Sequence, residues 1–294
     1  MIKDQAEELR KLFVLNKGQQ EKKKNNEPKN MRIITVASGK GGVGKTSVVS
    51  NLALSLTKLG NKVLIMDADL GMANIDIMFG LFPKHSLYDV IKGKKSLKEI
   101  AVTTAEGITI IPGGSGINEL VNLESEQRDN ILNELAEFSL EMDYLFIDCG
   151  AGVSKNILGF ISAADDVLIV ITPEPTSITD AYALIKILSQ FNLHKEVSVI
   201  VNRVTSIKEA DDTIARIENV ADKFLNIDIK KIGFINQDDN VVKSIKEQRP
   251  FVLSYPRSKA AKDMNYIAEN FLRGNDRPPQ GTEKFIKKLI NIFR

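Results

Sequence analysis

Apolar and polar positions alternate in a regular way between residues 32 and 273. Short runs of mostly apolar, β-branched residues are separated by longer stretches in which apolar residues recur at helical spacing. Strands that are apolar throughout are typical of a parallel sheet with helices on both faces, because both surfaces of such a sheet are buried. The pattern therefore predicts an α/β fold built on a mostly parallel sheet flanked by helices on both faces.

The alternation gives a first map of the secondary structure. The runs that predict strands lie at residues 33–36, 63–66, 108–111, 144–147, 167–171, 197–201 and 231–235. The stretches that predict helices lie at residues 45–59, 126–140, 180–190 and 209–224. The sequence contains no internal repeat, and the alternation is continuous. We therefore expect residues 31–273 to form one domain.

The pattern changes at both ends of this core. Residues 1–15 predict a short helix, and residues 16–30 are a polar, basic linker without hydrophobic periodicity. After residue 274, glycines and a Pro-Pro pair exclude a continuing helix. The predicted units are residues 1–30, residues 31–273 and residues 274–294.

A glycine-rich loop at residues 39–46 lies between the first predicted strand and the first predicted helix, and it matches the pattern G-x-x-x-x-G-K-[ST]. Its glycines allow backbone N–H groups to surround a β-phosphate at the positive end of the following helix. Lys45 is expected to contact the β- and γ-phosphates, and the Thr46 hydroxyl to bind Mg²⁺. The alternative is a glycine-rich turn without a ligand, which the context of the match disfavours. The predicted ATP-binding residues of this loop are Gly39, Lys40, Gly41, Gly42, Val43, Gly44, Lys45, Thr46 and Ser47.

Aspartates follow the predicted strands at residues 63–66 and 144–147. Asp148 is expected to act on Mg²⁺ through water, and Asp67 to support Mg²⁺ or its waters. Asp69 is placed to orient the attacking water. Aspartates at strand ends also cap helices and form turns, so each one alone is ambiguous. Together, beside a phosphate loop, they favour a magnesium site.

Composition narrows the classes of function. Lys and Arg total 40 against 38 Asp and Glu, so the chain lacks the basic field of a dedicated nucleic-acid binder. The single cysteine, Cys149, excludes an internal disulfide and a cysteine-built metal site, as a reducing cytosol favours. No apolar run reaches the roughly 18 residues that span a bilayer. We expect a cytoplasmic protein that meets membranes from the surface.

The C-terminal residues 283–294 place apolar side chains at helical spacing and basic side chains mainly on the opposite face. Such a helix predicts reversible binding to an anionic membrane surface at the inner face of the cell membrane. A helix of about 12 residues is marginal alone in water, so we expect it to fold as it binds. The alternative is a terminal helix docked on the protein's own core. The predicted membrane-binding residues are Phe285, Ile286, Leu289, Ile290 and Phe293.

Lys40 is not needed to hold phosphates within one chain, so by itself it is either a solvated charge or a contact to a neighbouring subunit's nucleotide. The residues K-G-G-V-G-K-T resemble the MinD/ParA family of deviant Walker A ATPases, and the resemblance covers residues 32–272. It implies a MinD-like P-loop NTPase fold, slow ATP hydrolysis and an ATP-dependent homodimer whose interface Lys40 crosses. It also implies that Asn202 and Arg203 meet the adenine. With this resemblance, the predicted catalytic residues are Lys40, Lys45, Asp69 and Asp148.

The N-terminal segment resembles one branch of this family. Its residues match the motif D-Q-A-x-x-L-R of the FlhG branch. The resemblance implies that the segment binds an FlhF-type GTPase and stimulates its hydrolysis, with Gln5 near the partner's nucleotide. It also implies a role in flagellar number and placement, with flagellar switch or basal-body proteins as further partners. The predicted partner-binding residues are Asp4, Gln5, Ala6, Leu9 and Arg10.

Other functions share parts of this pattern. A MinD-type division-site regulator has the same core and tail. A ParA-like DNA partition ATPase has the same core, and the basic linker would suit it, but a membrane-binding tail has no evident use there. A metabolic P-loop enzyme would need a substrate pocket that the sequence does not reveal. We therefore expect a membrane-associated regulatory ATPase and no nucleic-acid partner.

Overall fold

The computed structural model describes residues 31–69, 74–114, 125–274 and 278–293. The predicted partner-binding residues Asp4, Gln5, Ala6, Leu9 and Arg10 lie outside these ranges, as does the basic linker. The side chains of Ile286, Ile290 and Phe293 also lie outside what the structure describes. Predictions that rest on these positions stay predictions.

The strands form one eight-stranded sheet in the order β3-β4-β2-β5-β1-β6-β7-β8. Every neighbouring pair is parallel except β3 and β4, which are antiparallel. This arrangement confirms the predicted mostly parallel sheet. The strands are β1 (Arg32–Ser38), β2 (Val63–Ala68), β3 (Val102–Thr103), β4 (Thr109–Ile111), β5 (Tyr144–Ala151), β6 (Asp166–Ile171), β7 (Glu196–Val204) and β8 (Asp228–Asn236).

Helices connect the strands and cover both faces of the sheet. Those of the first half are α1 (Lys45–Lys58), α2 (Asn74–Met78), α3 (Leu87–Ile91), α4 (Leu97–Ile100), α5 (Ser125–Glu141) and α6 (Lys155–Ala163). Those of the second half are α7 (Pro175–Gln190), α8 (Ile207–Phe224), α9 (Asp239–Lys246), α10 (Phe251–Ser254), α11 (Lys259–Arg273) and α12 (Thr282–Phe293).

The buried apolar residues form one cluster on each face. Along β1, Ile33 and Ala37 belong to the cluster under α3 to α8, whereas Ile34 and Val36 belong to the cluster under α1, α10 and α11. Successive side chains of a strand point to opposite faces, so an almost wholly apolar strand serves both clusters. This is why the strands lack polar alternation in the sequence.

The strands and helices that the pattern predicted within residues 31–273 are all present, with ends that differ by a few residues. The predicted helix at residues 1–15 lies outside the described residues. The largest difference is α7, which begins at Pro175 because proline suits the first turn of a helix. The pattern did not predict β3 or the helices α2, α3, α4, α6, α9, α10 and α11. In α6 apolar residues crowd most positions and hide the helical period, whereas α11 has clear helical spacing in Met264, Ile267 and Phe271.

The C-terminal helix α12 forms where the sequence predicted it and packs against α6 and α5. Phe285 is only 3% exposed and belongs to the same core cluster as the apolar residues of α6, and Leu289 packs against that cluster. Just before the helix, the Gln280 N–H donates to Asp165 Oδ1 at 2.6 Å. The structure therefore shows the docked arrangement that the sequence left as the alternative.

Within the described ranges, no helix combines the length and the apolar character that crossing a bilayer requires.

Candidate nucleotide-binding site

The glycine-rich loop joins β1 to α1, and its shape depends on its glycines. Gly42 and Gly44 have φ angles of 78° and 91°, in the left-handed region that glycine adopts readily. At Gly39 a Cβ atom would lie 2.2 Å from the Asp180 backbone carbon of α7. Larger residues here would distort the loop or separate it from α7, so the structure explains the glycine pattern.

Lys45 is buried at the start of α1, 7% exposed, and its Nζ lies 2.6 Å from Oδ1 of the fully buried Asp148. Burial opposes the lysine charge, but the charge and hydrogen bond of Asp148 more than offset it, so the pKa of Lys45 is raised. The lysine is thus held as a cation at the base of the loop.

The second oxygen of this carboxylate suits a metal ion. Asp148 Oδ2 is buried and has no hydrogen-bond partner among the described residues. A carboxylate oxygen that has no hydrogen-bond partner is a hard ligand of the kind that Mg²⁺ prefers. Within the described ranges, no group of three His, Cys, Asp or Glu side chains could hold a metal ion by itself. In nucleotide sites Mg²⁺ is held by one or two protein oxygens together with waters and substrate phosphates, and the free oxygen of Asp148 fits such a role.

Asp67 lies beside Asp148 because neighbouring strands β2 and β5 pair the two residues in register. Its Oδ1 accepts from the Asp69 N–H at 3.0 Å and its Oδ2 from the Ile75 N–H at 3.2 Å. Burial, followed by the charge of Asp148, raises the pKa of Asp67 to about 7. The two hydrogen bonds of Asp67 tie the backbone around Asp69 and Ile75 to the sheet.

Asp69 lines a cavity of about 450 Å³ together with residues 41–47 of the loop. Asn74 Nδ2 donates to Asp69 Oδ2 at 3.4 Å, and Asp69 Oδ1 faces Gly150. Asp69 thus stands between the phosphate loop and the glycine-rich segment after Asp148, where a carboxylate can orient a water molecule.

Lys40 has a different environment from Lys45. It is 39% exposed, and its Nζ contacts Glu174 Oε2 at 3.0 Å and Thr176 Oγ1 at 2.9 Å. Glu174 and Thr176 stand at the start of α7, in the same chain. An exposed ion pair of this kind contributes only about 0–1 kcal/mol, so another anion can replace it.

A second cavity of about 730 Å³ adjoins the first, within the size range of ligand pockets. Gly44, Ser47 and Val48 line one side, and Asn202 and Arg203 line another. The predicted adenine-contacting residues are thus placed next to the phosphate loop.

Asn202 and Arg203 lie at the end of β7. Asn202 Nδ2 donates to the Val43 carbonyl at 2.8 Å, and Asn202 Oδ1 accepts from the Arg203 N–H at 2.9 Å. The predicted loop, aspartate and adenine-side residues therefore meet at one edge of the sheet. The sequence did not predict Glu174 and Thr176, although they follow β6 at this same edge.

Comparisons with known proteins identify the family. The ParA family model, described as an NUBPL iron-transfer P-loop NTPase, matches residues 29–272. The chain belongs to the ParA family. It is a P-loop NTPase of this family, and the predicted MinD/ParA resemblance is confirmed.

Relatives of the chain include an antiactivator and a flagellum site-determining protein. The chain is 39% identical over 265 residues to the antiactivator FleN of Pseudomonas aeruginosa, covering 88% of this chain and 94% of FleN. It is 34% identical over 271 residues to the flagellum site-determining protein YlxH of Helicobacter pylori, covering 90% of this chain and 91% of YlxH. These similarities confirm the predicted resemblance to the flagellar branch of the ParA family.

The fold is similar to that of solved MinD structures. The septum site-determining protein MinD of Pyrococcus horikoshii, complexed with Mg-ADP, matches with a TM-score of 0.65 and 26% identity, covering 83% of this chain and 98% of that one. This likeness confirms the predicted MinD-like P-loop NTPase fold.

Proposed function

We propose that this chain is an ATP-dependent, dimerising and membrane-associating switch that regulates flagellar number and placement, as FlhG-type proteins do. The observation that carries the flagellar role is the similarity to YlxH, a flagellum site-determining protein, over more than nine tenths of its length. The proposed reaction is slow hydrolysis of ATP to ADP and phosphate, whose turnover times the switch.

The proposed hydrolysis uses the residues at the carboxyl edge of the sheet. When bound, Mg²⁺ would neutralise negative charge on the phosphates, with Asp148 and Thr46 as its protein partners and Asp67 in support. Lys45 supplies a fixed cation for the β- and γ-phosphates. Asp69 orients the attacking water and accepts its proton. The loop's backbone N–H groups hold the phosphates in place.

Dimerisation is proposed to occur through Lys40. Its ion pair with Glu174 is exposed and weak, so the lysine can exchange its own chain's carboxylate for the phosphates of a partner's nucleotide. A γ-phosphate offers more charge than one carboxylate. ATP, and not ADP, would therefore favour the dimer.

The nucleotide is proposed to control the tail through α6. The Asp148 strand continues into residues 150–152, where the Gly152 N–H donates to the Ser38 carbonyl at 2.9 Å beside the phosphate loop. Helix α6 starts three residues later and carries the docked α12. A shift of this glycine-rich segment toward a γ-phosphate would move the surface on which Phe285 rests.

Once released, α12 is proposed to bind the inner face of the cell membrane from the cytoplasm. Each Lys or Arg near an anionic leaflet contributes on the order of 1 kcal/mol, and buried apolar side chains add to this. One tail would bind weakly, whereas the two tails of a dimer could raise the apparent affinity roughly 10²–10⁴-fold. Membrane attachment would thus follow the nucleotide state.

The N-terminal motif is proposed to bind an FlhF-type GTPase through Asp4, Gln5, Ala6, Leu9 and Arg10. Gln5 would stand near the partner's nucleotide and stimulate its hydrolysis. Flagellar switch or basal-body proteins are proposed as further partners of the core.

ATP-dependent liposome flotation with and without an FlhF-type GTPase tests the proposal. The intact protein should float with ATP and should stimulate the GTPase. Deletion of residues 1–15 should leave flotation intact and abolish the stimulation. Absence of stimulation by the intact protein would contradict the FlhG-type function.

A MinD-type division-site regulator is the second candidate, because the chain is also 29% identical to MinD of Bacillus subtilis. It predicts flotation without GTPase stimulation. A ParA-like DNA partition function predicts instead ATP-dependent binding to random DNA that weakens steeply with salt. The same preparations distinguish all these outcomes.

A further inference from the structure

We propose that Asn202 is a positioning residue for the phosphate loop, which it holds in the shape that binds phosphate, whatever base the ligand carries. The inference rests on the proposed ATPase function and adds a role for this side chain within it. Recognition of the adenine, which the family resemblance implies for Asn202, does not require the contacts described next.

The Asn202 amide packs on the loop where the chain turns into α1. It is 9% exposed, and its Nδ2 donates to the Val43 carbonyl at 2.8 Å. At Gly44, a Cβ atom would lie 2.4 Å from the same nitrogen. The amide therefore sits directly against the left-handed glycine whose conformation aims the following N–H groups at the ligand.

The orientation of the Asn202 amide is fixed at both of its ends. Its Oδ1 accepts from the Arg203 N–H at 2.9 Å, while its Nδ2 faces the Val43 carbonyl. A flipped amide would place oxygen against oxygen and N–H against N–H. Arg203 has a φ angle of 61°, which is strained for a residue with a side chain, and the bond from Oδ1 helps to hold it there.

These contacts connect distant parts of the sheet. β7 is separated from β1 by β6, so Asn202 reaches across the site to the loop that leaves β1. Without the amide, the Val43 carbonyl would lose its buried hydrogen-bond donor. The loop would also lose its contact with the side of the cavity that Asn202 and Arg203 line. Phosphate binding itself should then weaken.

Isothermal titration calorimetry of the full-length chain with tripolyphosphate and with ATP, both with Mg²⁺, tests this role. Tripolyphosphate has no base, so it reports on the loop alone. Asn202→Leu should weaken both ligands by a similar factor of roughly tenfold or more, because a buried polar partner is lost. The melting temperature should change no more than in the control variant.

The control variant is Asn270→Leu. Asn270 Nδ2 donates to the Ile232 carbonyl at 3.0 Å, so this change removes the same type of hydrogen bond between α11 and β8. Both affinities should remain at the wild-type value. If Asn202→Leu fails to fold, Asn202→Ala, which only removes atoms, replaces it in the same comparison.

The result that overturns the inference is a variant that binds tripolyphosphate as the wild type does, whether or not it has lost ATP binding. Loss of tripolyphosphate binding in Asn270→Leu as well would also overturn it, because the effect would then reflect general destabilisation. Failure of the wild type to bind either ligand would instead contradict the proposed ATPase function.

Discussion

The phosphate loop and the C-terminal helix are both attached to the same sheet, but by different kinds of contact. The loop is held by the buried ion pair of Lys45 and Asp148, by glycines in left-handed conformations and by the Asn202 amide. The helix is held mainly by apolar contacts around Phe285 and by the N–H group of Gln280. The contacts of the loop fix its geometry. The apolar contacts of the helix, in contrast, can be replaced by contacts with another apolar surface.

This difference suits the proposed switch. A buried ion pair has few alternative partners and breaks only at a large free-energy cost. An amphipathic helix of about 12 residues has no stable structure alone, yet any apolar surface with nearby anionic groups can receive it.

Lys45→Ala should have the largest effect. It leaves the buried Asp148 carboxylate unpaired, and we expect a loss of roughly 3 kcal/mol in the free energy of unfolding, measured by urea denaturation. ATP binding should be lost as well. The double variant Lys45→Ala with Asp148→Asn should recover part of the stability but not ATP binding. A single variant as stable as the wild type would show that the ion pair does not hold the loop.

Phe285→Glu should have a local effect. A charge cannot remain at this buried position, so α12 should detach and be cleaved faster by protease, while the core stays folded at a lower melting temperature and keeps its ATP affinity. The same charge on the apolar face should prevent liposome flotation with ATP.

The matched control for Phe285→Glu is Phe82→Glu, because Phe82 is 86% exposed. It should change neither proteolysis nor flotation. Retained flotation of Phe285→Glu would show that the tail is not the anchor.

The pKa of Asp67 predicts a pH dependence for the phosphate region. A carboxyl group whose pKa is raised from 3.8 to about 7 by folding binds its proton more tightly in the folded state. Asp67 therefore contributes its full stabilisation at a pH below its ordinary pKa of 3.8, and this stabilisation is lost as the pH rises through about 7. Asp67→Asn should flatten the fall of the melting temperature over this interval. If the melting temperature of Asp67→Asn depended on pH as that of the wild type does, Asp67 would not be the group that causes the dependence.

Lys40→Ala should have the smallest effect on the nucleotide-free protein. Its ion pair is exposed, so the free energy of unfolding should change by less than about 1 kcal/mol. ATP binding should persist, but size-exclusion chromatography with ATP should show a monomer. Glu174→Gln, which removes the ion pair of Lys40, should still dimerise. If Lys40→Ala still formed a dimer with ATP, the proposed role of Lys40 would be contradicted. Lys45 would then be the lysine on which the site depends.

The sequence predicted the sheet and the loop well because local patterns determine them. Apolar runs such as β6 are long enough to be recognised, and the loop at residues 39–46 is contiguous. The contact of Lys40 with Glu174 could not be predicted, because it joins residues 134 positions apart. The docking of α12 could not be predicted either. The same apolar face suits the core and a membrane, and only the packing of α6 and α5 decides between them.

The proposed control of the tail by the nucleotide site can be measured directly by hydrogen–deuterium exchange of α12. The exchange is measured in the Asp69→Ala variant, with and without Mg-ATP and in the absence of lipid. Asp69→Ala should slow hydrolysis by roughly 10²–10⁴-fold and so trap the ATP-bound dimer. We expect α12 to exchange slowly without nucleotide and markedly faster with ATP, while β1 and α1 become more protected. Protection of α12 that is unchanged by ATP in a confirmed dimer would contradict the claim that the nucleotide site controls the tail.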